Sequence, residues 1–278
     1  MGLIESIILG LVQGLSEFLP ISSSGHLALL EHFFNIQEDK VLFFAVLLHG
    51  GTLLSIFAAF YKEIGGLIIE LAGVFKDIFT GKGLMADKNE TRKLGFLIII
   101  ASIPAAVLGI ALKKVFADLY SNILVIGAGL IVTGTLLFVT ERYTSGRGSI
   151  KGMKYRGAFF VGIMQSLALF PGISRSGSTI VGSLITGLER KTAVNFAFLM
   201  SIPTVLGAFL LEVPDALKEG FNGDFAMQLG IGILLAAVSG FIAIKTMIRV
   251  VSNSKLFYFS IYTWIVGAVV IVYSQFIQ

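Results

Sequence analysis

The stretch Gln13-Gly-Leu-Ser-Glu17-Phe-Leu-Pro20-Ile-Ser22-Ser23-Ser24-Gly25-His26 places a carboxylate, a proline, three consecutive hydroxyls and a histidine inside an otherwise apolar segment. A second stretch, residues 165–178, repeats this pattern at an offset of 152 residues, with Ser174 facing Ser22. Identical residues recur at Gly10, Gln13, Phe18, Ile21, Ser22, Ser24 and Gly25. Ser23 instead faces Arg175. We name residues 13–26 the first break and residues 165–178 the second break.

Composition indicates a membrane protein. The chain is 55% hydrophobic and 14% charged, with a mean hydropathy of +0.90, whereas soluble domains are about 25% charged. Several apolar runs reach the roughly 20 residues that cross a bilayer. The chain has no cysteine, which excludes disulfides and thiolate metal sites. No cationic leader with a small-residue cleavage site is recognisable, so we interpret residue 1 onward as mature sequence.

The apolar pattern predicts an all-α polytopic protein with two halves, each a re-entrant helical hairpin followed by three full spans, six in all. The first half, residues 1–140, contains a hairpin at about 2–36 and spans at about 41–61, 94–112 and 120–140. The second half, residues 157–278, contains a hairpin at about 157–187 and spans at about 192–211, 227–248 and 256–276. A polar, basic linker, 141–156, joins them. Non-helical backbone at membrane depth is tolerated only inside protein or along a cavity.

Topology follows from the number of crossings. Three crossings per half is odd, so the second half enters from the opposite face, which makes an inverted repeat with the breaks facing each other near the midplane. Sixteen Lys and Arg residues fall on the linker side and four on the other, so the linker side is predicted to be cytoplasmic. Both termini and the acidic loop 212–224 then lie outside. The amphipathic segment 63–80 is predicted to lie on the membrane surface.

The second break predicts an anion site. Arg175 is the only basic residue that the predicted spans place in the membrane core, and its guanidinium matches phosphate or carboxylate oxygens. Both breaks also open short helices whose N–H groups favour an anion. The residues at these helix starts are Ser22, Ser24, Gly25, Ser174, Ser176 and Gly177. The alternative is that Arg175 only forms a structural ion pair with Glu17.

The first break adds reactive groups. His26 can act as general base, general acid or nucleophile near neutral pH. Ser23 or Ser22 becomes a nucleophile when a base lies within hydrogen-bond reach, although a serine here could also be only a helix cap. Glu17 could hold Mg²⁺ or Ca²⁺ through oxygen ligation, orient His26, or act as the base itself. His49 lies in mid-span and has Ser201, which is not ionisable, at its equivalent position in the second half. We therefore interpret it as a packing residue or a helix–helix hydrogen-bonding residue.

These residues resemble the motifs of the undecaprenyl-diphosphatase (bacitracin-resistance) family. The first break resembles its (E/Q)-x-x-x-E and P-x-S-S-x-G-H signature, and Pro171-Gly-Ile-Ser-Arg-Ser-Gly-Ser-Thr179 resembles its P-G-x-S-R-S-G motif. The resemblance covers nearly the whole chain. The family's functional residues map onto Gln13, Glu17, Ser22, Ser23, His26, Ser174, Arg175 and Ser176. Type 2 phosphatidic acid phosphatases share Ser-Gly-His, but the His and Asp that follow Ser-Arg in their third motif are missing here.

The resemblance implies an enzyme of the bacterial plasma membrane. It would remove the terminal phosphate of undecaprenyl diphosphate and so recycle the lipid carrier for peptidoglycan and other cell-wall polymers. The resemblance also implies a divalent cation, Mg²⁺ or Ca²⁺, and an outward-facing site, and it allows a homodimer. Gln rather than Glu at position 13 leaves Glu17 as the main anionic ligand. Membrane lipids are the other expected partners, and the basic residues are interpreted as topogenic and lipid-attracting rather than as a nucleic-acid face.

The resulting hypothesis is a lipid diphosphate phosphohydrolase. Arg175 and the helix N-termini bind the diphosphate, and a cation at Glu17 offsets charge on the departing phosphate. Ser23 or Ser22 attacks the terminal phosphorus with His26 as proton acceptor, while direct attack by His26 or by water stays open. The alternative is a transporter or flippase for an anionic lipid or solute, because broken helices in an inverted repeat are equally typical of transporters. A transporter would have no use for Ser23 and His26 together.

Overall fold

The computed structural model describes residues 2–34, 38–120, 122–144, 146–218 and 223–277. Within these ranges the backbone is almost entirely helical. Five of the described helices are long and apolar enough to cross a membrane, and the bent pair Val46–Ala59 and Tyr61–Phe79 makes a sixth if it is one span. The prediction of an all-α polytopic membrane protein is therefore confirmed.

The described helices follow the predicted order. Before the linker they are α1 (Leu3–Phe18), α2 (Ser23–Phe34), α3 (Glu38–Ala59), α4 (Tyr61–Phe79), α5 (Glu90–Ala111), α6 (Lys113–Tyr120) and α7 (Ile123–Tyr143). A 3₁₀ turn, Ile150–Gly152, lies in the linker. After it come α8 (Tyr155–Leu167), α9 (Arg175–Ile185), α10 (Arg190–Lys218), α11 (Gly223–Ser252) and α12 (Phe257–Ile277). The order of two short helices and a long one, α1 to α3, recurs in α8 to α10.

Several helices extend beyond the apolar runs that predicted them. Helix α10 continues to Lys218 instead of ending at 211, and α11 runs over Gly223–Ser252 instead of 227–248. Hydropathy marks only the part of a helix that lies in hydrocarbon, whereas backbone hydrogen bonding continues into the headgroup layer. Residues 219–222 of the predicted loop 212–224, and 35–37 at the end of the first predicted hairpin, lie outside the described residues. The short helix α6 has no counterpart among the predicted elements.

The breaks have identifiable local causes. Pro20 disfavours helical backbone at the residue before it, and Leu19 is accordingly extended, with ψ 142°. The chain then reverses at Ser22, whose φ of 71° lies in the left-handed region. In the second break the left-handed residue is Gly172, with φ 85°, while Ser174 keeps an ordinary φ of −72°. The two breaks therefore turn by different means.

Each hairpin packs against long helices from the other half. Helix α1 packs against α11 and α8 against α5, while α11 also packs on α3 and α5 on α10. Helices α7 and α12 pack together. Small residues allow these approaches: a Cβ added at Gly10 would lie 2.6 Å from the carbonyl oxygen of Gly232. The arrangement holds both breaks inside the bundle, where Phe18 packs edge-on against Phe198 with ring centroids 5.5 Å apart.

Helix α4 leaves the line of the preceding span. It is bent by 87° from Val46–Ala59 and exposes large apolar side chains, including Ile68, Ile69 and Phe79. Its other side is tied to α5 by Arg92, which is 2% exposed. Arg92 donates from Nε to Glu70 Oε2 at 2.8 Å and from Nη1 to Asp77 Oδ2 at 2.7 Å, and Lys88 Nζ donates to the same Asp77 oxygen at 3.0 Å. An exposed apolar side beside a charged one suits a helix at the membrane surface.

Candidate active site

Glu17 is the centre of a buried polar cluster at the end of α1. The residue is 5% exposed. Its Oε2 accepts hydrogen bonds from Gln13 Nε2 at 3.1 Å and from Ser23 Oγ at 2.6 Å. Its Oε1 forms an ion pair with the Arg175 guanidinium, and His49 Nε2 lies 3.9 Å from Oε2. The side chains around this carboxylate thus come from α1, α2, α3 and α9.

Arg175, in the second break, contacts Glu17 in the first break. It opens α9, and its Nη1 also donates to Thr204 Oγ1 of α10 at 3.5 Å. A guanidinium has five N–H donors in a planar fork, so the ion pair with Glu17 leaves donors for an incoming anion. A small cavity lies beside the pair, with walls that include Glu17, Phe18, Arg175, Ser176, Thr179 and Ser201. The structural ion pair and the anion site are therefore compatible uses of one side chain.

The Ser23 hydroxyl donates a hydrogen bond to Glu17, not to His26. The Ser23–Glu17 distance of 2.6 Å is typical of a charge-assisted hydroxyl–carboxylate hydrogen bond. His26 Nδ1 instead lies 2.8 Å from the carbonyl oxygen of Ser22, and its Nε2 lies 2.7 Å from the Tyr262 hydroxyl. In this geometry the contact of Ser23 is with Glu17 and not with His26, the proton acceptor expected from the sequence. The base in contact with Ser23 is Glu17, one of the roles that the sequence left open for it.

The helix-start serines act as caps in both breaks. Ser22 Oγ accepts from Gly25 N at 3.2 Å, and Ser174 Oγ accepts from Gly177 N at 3.1 Å. The paired hydroxyls repeat as well, since Ser22 and Ser24 lie 3.4 Å apart and Ser174 and Ser176 lie 3.1 Å apart. These caps use the amides of both predicted substrate-binding glycines. The capping interpretation therefore applies to Ser22 and Ser174.

The two breaks touch each other through equivalent positions. A Cβ added at Gly25 would lie 3.3 Å from Gly172 Cα, and one at Gly177 would lie 3.4 Å from Pro20 Cβ. At the offset of 152, Gly25 is equivalent to Gly177 and Pro20 is equivalent to Gly172. The Gly25–Gly172 contact and the Gly177–Pro20 contact are therefore equivalent to each other. Reciprocal contacts of this kind are typical of a two-fold relation. Both glycines therefore lie at the contact between the breaks, where little space is left for a side chain.

Helix α7 supports the second break from behind. Thr133 Oγ1 donates to the carbonyl oxygen of Gly172 at 3.1 Å and accepts from Ser174 N at 3.0 Å. Ser176 Oγ donates to the Leu19 carbonyl oxygen at 3.0 Å, which links the second break to the first. These bonds satisfy backbone groups that the interruption of the helix leaves without helical partners. Arg175 is thereby held at a fixed position relative to Glu17.

The side chains of Gln13 and Glu17 are the candidates for holding a hard cation together with a phosphate ligand. No cluster of three His, Asp or Glu side chains suited to a metal occurs in the part of the chain that the structure describes. However, Gln13 Oε1 is buried without a hydrogen-bond partner among the described residues, while Gln13 Nε2 donates to Glu17. An unpartnered amide oxygen beside a carboxylate suits Mg²⁺ or Ca²⁺. Substrate oxygens and water would have to complete the coordination.

The structure also adds residues that sequence reasoning missed. The interpretation of His49 as a packing or helix–helix hydrogen-bonding residue did not include the site, but α3 brings His49 Nε2 within 3.9 Å of Glu17 Oε2. Its place as an ionisable side chain in mid-span was the available signal. Thr133, Thr204 and Tyr262 carry no such signal, because hydroxyl residues on apolar helices usually bond within the helix or pack. Their roles depend on which helices meet.

The fold and the site define a polytopic membrane protein with an ion-paired, hydroxyl-bearing polar centre where two broken helical pairs meet. The chain belongs to the family described as bacitracin resistance protein BacA, whose family model matches residues 6–269. It is 48% identical over 271 residues to a protein of Alkaliphilus metalliredigens named undecaprenyl-diphosphatase, covering 97% of this chain and 98% of that one. Proteins of the same name from Desulfosudis oleivorans and Halothermothrix orenii are 42% and 38% identical, over 96% and 98% of this chain and the same shares of theirs.

Proposed function

We propose that this protein is an integral membrane phosphohydrolase that converts undecaprenyl diphosphate to undecaprenyl phosphate. The activity would recycle the lipid carrier for peptidoglycan and other cell-wall polymers, which is the basis for expecting bacitracin resistance. The observation that carries the proposal is Glu17, whose carboxylate contacts a hydroxyl and an arginine from opposite breaks. Family membership and relatives named for this reaction support it.

Arg175 would bind the terminal phosphate. The diphosphate competes with Glu17 for the guanidinium, and the donors that Glu17 leaves unused allow both contacts during entry. The cavity beside Arg175 lies between α9 and α10, and apolar residues such as Phe18 and Phe198 form part of its wall. The isoprenoid tail would remain among the apolar spans. The diphosphate and the isoprenoid tail would therefore be bound in separate parts of the site.

Ser23 is the nucleophile in this scheme. Its Oγ forms a bond to the terminal phosphorus while the bond from that phosphorus to the bridging oxygen breaks, and the Ser23 proton moves to Glu17 Oε2. The 2.6 Å hydrogen bond already aligns this transfer. Undecaprenyl phosphate leaves as an anion, so its departure needs no proton. Because the leaving group needs no proton, the Glu17 carboxylate is sufficient as the proton-transfer group of this step.

Hydrolysis of the phosphoserine completes the cycle. A water molecule attacks the phosphorus, its proton goes to His26, and Ser23 Oγ leaves and regains the proton held by Glu17. Ser23 and His26 are three residues apart at the start of α2, and such positions share one face of a helix. His26 Nε2 is the ring atom suited to this transfer, because Nδ1 faces the Ser22 carbonyl.

We also propose that Gln13 and Glu17 hold a divalent cation, Mg²⁺ or Ca²⁺, when the diphosphate is bound. Such an ion supplies charge neutralisation for phosphoryl transfer. The unpartnered Gln13 Oε1 beside the Glu17 carboxylate supports this assignment. With a cation held there, Glu17 would keep a compensating positive charge when Arg175 turns to the substrate.

The inverted repeat remains our proposal for the architecture. The Gly25–Gly172 and Gly177–Pro20 contacts are equivalent under the 152-residue offset, which supports it. Independent support comes from helix packing, because α1 packs on α11 of the second half and its equivalent α8 packs on α5 of the first half. With the basic side cytoplasmic, both termini face outward and the first break opens to the outer face. An outer site suits a substrate that is released after its glycan has been transferred outside.

Phosphate release from a polyprenyl diphosphate by the purified protein in detergent tests the proposal. Arg175→Lys, Glu17→Gln and Ser23→Ala should each lower kcat/KM by about 100-fold or more, because each removes a group aimed at the transferred phosphate. Arg190→Lys is the matched control, since Arg190 pairs with Glu141 at 3.0 Å in another part of the molecule. Its activity should equal that of the unmodified protein.

Two further outcomes separate the alternatives. Rapid quenching with terminally labelled substrate should trap a phosphoserine that is missing in Ser23→Ala, whereas full turnover by Ser23→Ala would favour attack by water or His26. Movement of labelled lipid across proteoliposomes without phosphate release would contradict the enzyme and support a transporter. Phosphate release in detergent, where no gradient exists, is expected instead.

A further inference from the structure

We propose that Tyr262 is a positioning residue that acts through His26, fixing the ring atom that exchanges a proton during catalysis. This inference rests on the proposed function in assigning a role to His26. Tyr262 lies on α12, far from both breaks in sequence, and belongs to neither sequence motif. Its hydroxyl lies 2.7 Å from His26 Nε2.

Both ring nitrogens of His26 have an assigned partner. Nδ1 lies 2.8 Å from the Ser22 carbonyl oxygen, and Nε2 faces the Tyr262 hydroxyl. The two rings are also nearly parallel, with centroids 5.7 Å apart and an interplanar angle of 10°. The imidazole is therefore held at both ends, by the first break itself and by a separate helix.

The chemistry of the partners fixes the tautomer. A backbone carbonyl only accepts hydrogen bonds, so Nδ1 carries the proton when the ring is neutral. Nε2 then presents its lone pair, and the Tyr262 hydroxyl donates to it. When the ring is protonated, Nε2–H donates instead, and the same phenol oxygen accepts. Tyr262 can thus hold His26 in both protonation states and has to release Nε2 only while a proton arrives or leaves, whereas an apolar neighbour could hold neither state by a hydrogen bond.

Tyr262 itself is mounted on a fixed support. The next residue, Thr263, is fully buried, and Trp264 Nε1 donates to Thr135 Oγ1 of α7 at 3.2 Å. Helix α7 is also the helix that holds the second break through Thr133. The contact from Tyr262 to His26 therefore places the histidine in the same frame as Arg175. This is the physical reason for assigning Tyr262 a positioning role.

The test compares Tyr262→Phe with Tyr258→Phe. The first variant keeps the aromatic ring and removes the hydroxyl, while the second changes an exposed tyrosine one turn away on the same helix. Tyr262→Phe should lower kcat about fivefold to tenfold, the effect of losing one hydrogen bond. KM should change by less than about twofold, because the contact acts on the chemical step and not on substrate binding. Tyr258→Phe should match the unmodified protein.

Two readouts separate positioning from packing. In the His26→Gln background, Tyr262→Phe should cost nothing further, because residues that act as a unit are not additive. In ¹⁵N-histidine spectra, the Nε2 resonance of His26, assigned by its loss in His26→Gln, should shift in Tyr262→Phe while the Nδ1 resonance stays. The spectrum contains three histidines, which makes the assignment direct.

Unchanged kcat in Tyr262→Phe, an additive loss in the double variant, or an unmoved Nε2 resonance would each overturn the inference. Failure of the proposed function gives a different result. If His26→Gln alone keeps full turnover, the role given to His26 is wrong whatever Tyr262→Phe does.

Discussion

Ser22 and Ser174 cap equivalent helices, yet only Ser22 adopts a left-handed backbone. Its φ is 71°, against −72° for Ser174. For a residue with a Cβ this conformation costs about 1–2 kcal/mol. Such strain persists where surrounding structure enforces it, and it often occurs at functional sites. Here it presents the Ser22 carbonyl to His26 Nδ1 and the adjacent Ser23 to Glu17.

Substitutions at these two serines should therefore differ by different margins. Glycine is a better N-cap than alanine, so the glycine variant should be the more stable of the two at both positions. At Ser22 glycine also relieves the strain that Ser22→Ala keeps, so the difference between Ser22→Gly and Ser22→Ala should be about 1 kcal/mol larger than the difference between Ser174→Gly and Ser174→Ala. Thermal unfolding midpoints in one detergent measure all four variants. An equal difference at both positions would contradict the account of Ser22.

The elements of the fold could be predicted because their signals are local. Pro20, the serine runs and the apolar lengths predicted where α1, α2, α8 and α9 begin and end. The meeting of Glu17 with Arg175 also had a signal, since each is a costly charge in an apolar segment. The partners of Ser23 and His26 had none. They depend on the rotation of α2 and on the approach of α12, which sequence periodicity does not specify.

Helix α4 shows the same division between local and long-range information. Its amphipathic pattern predicted a surface helix, but not the side chain that holds it. Arg92 reaches back to Glu70 and Asp77 on α4, and this contact depends on the loop between α4 and α5. The network fixes α4 at an angle to the spans, which sets the cytoplasmic edge of the bundle in the proposed orientation.

Acid should loosen α4. Hydrogen bonds from Arg92, aided by Lys88, lower the pKa of Asp77, and those from Arg92, aided by Asn89, lower the pKa of Glu70. A carboxyl with a lowered folded pKa contributes stability that is complete above its ordinary value of about 4 and is lost as pH falls through the folded value. The unfolding midpoint should thus drop on acidification below about pH 4.

Asp77→Asn should flatten this acid dependence while lowering the midpoint at neutral pH. Glu63→Gln, an exposed change on the same helix, is the control and should keep the dependence of the unmodified protein. If Asp77→Asn retained the full dependence, carboxyls elsewhere would be responsible and the network would not be the acid-sensitive element.

The whole molecule offers a direct test of its orientation. Because the chain contains no cysteine, single cysteines can be introduced at exposed positions without background labelling. Lys113→Cys should react with a membrane-impermeant maleimide in intact cells, and Lys82→Cys should react only after the membrane is opened. The reverse pattern would place the termini and the first break on the cytoplasmic side. The homodimer that the family resemblance allows stays a prediction, which crosslinking of the same variants would check.

The reciprocal contact of the two breaks has a consequence for biosynthesis. Gly25 meets Gly172 and α1 packs on α11, so the first segment to leave the ribosome finds its partners only when the last spans have been made. Until then Glu17 lacks its partner Arg175, and the first break lies in the membrane or at its surface without the second break. The reactive centre would therefore be completed late and all at once, so a chain interrupted after its first half should carry the acid, the hydroxyl and the imidazole without activity.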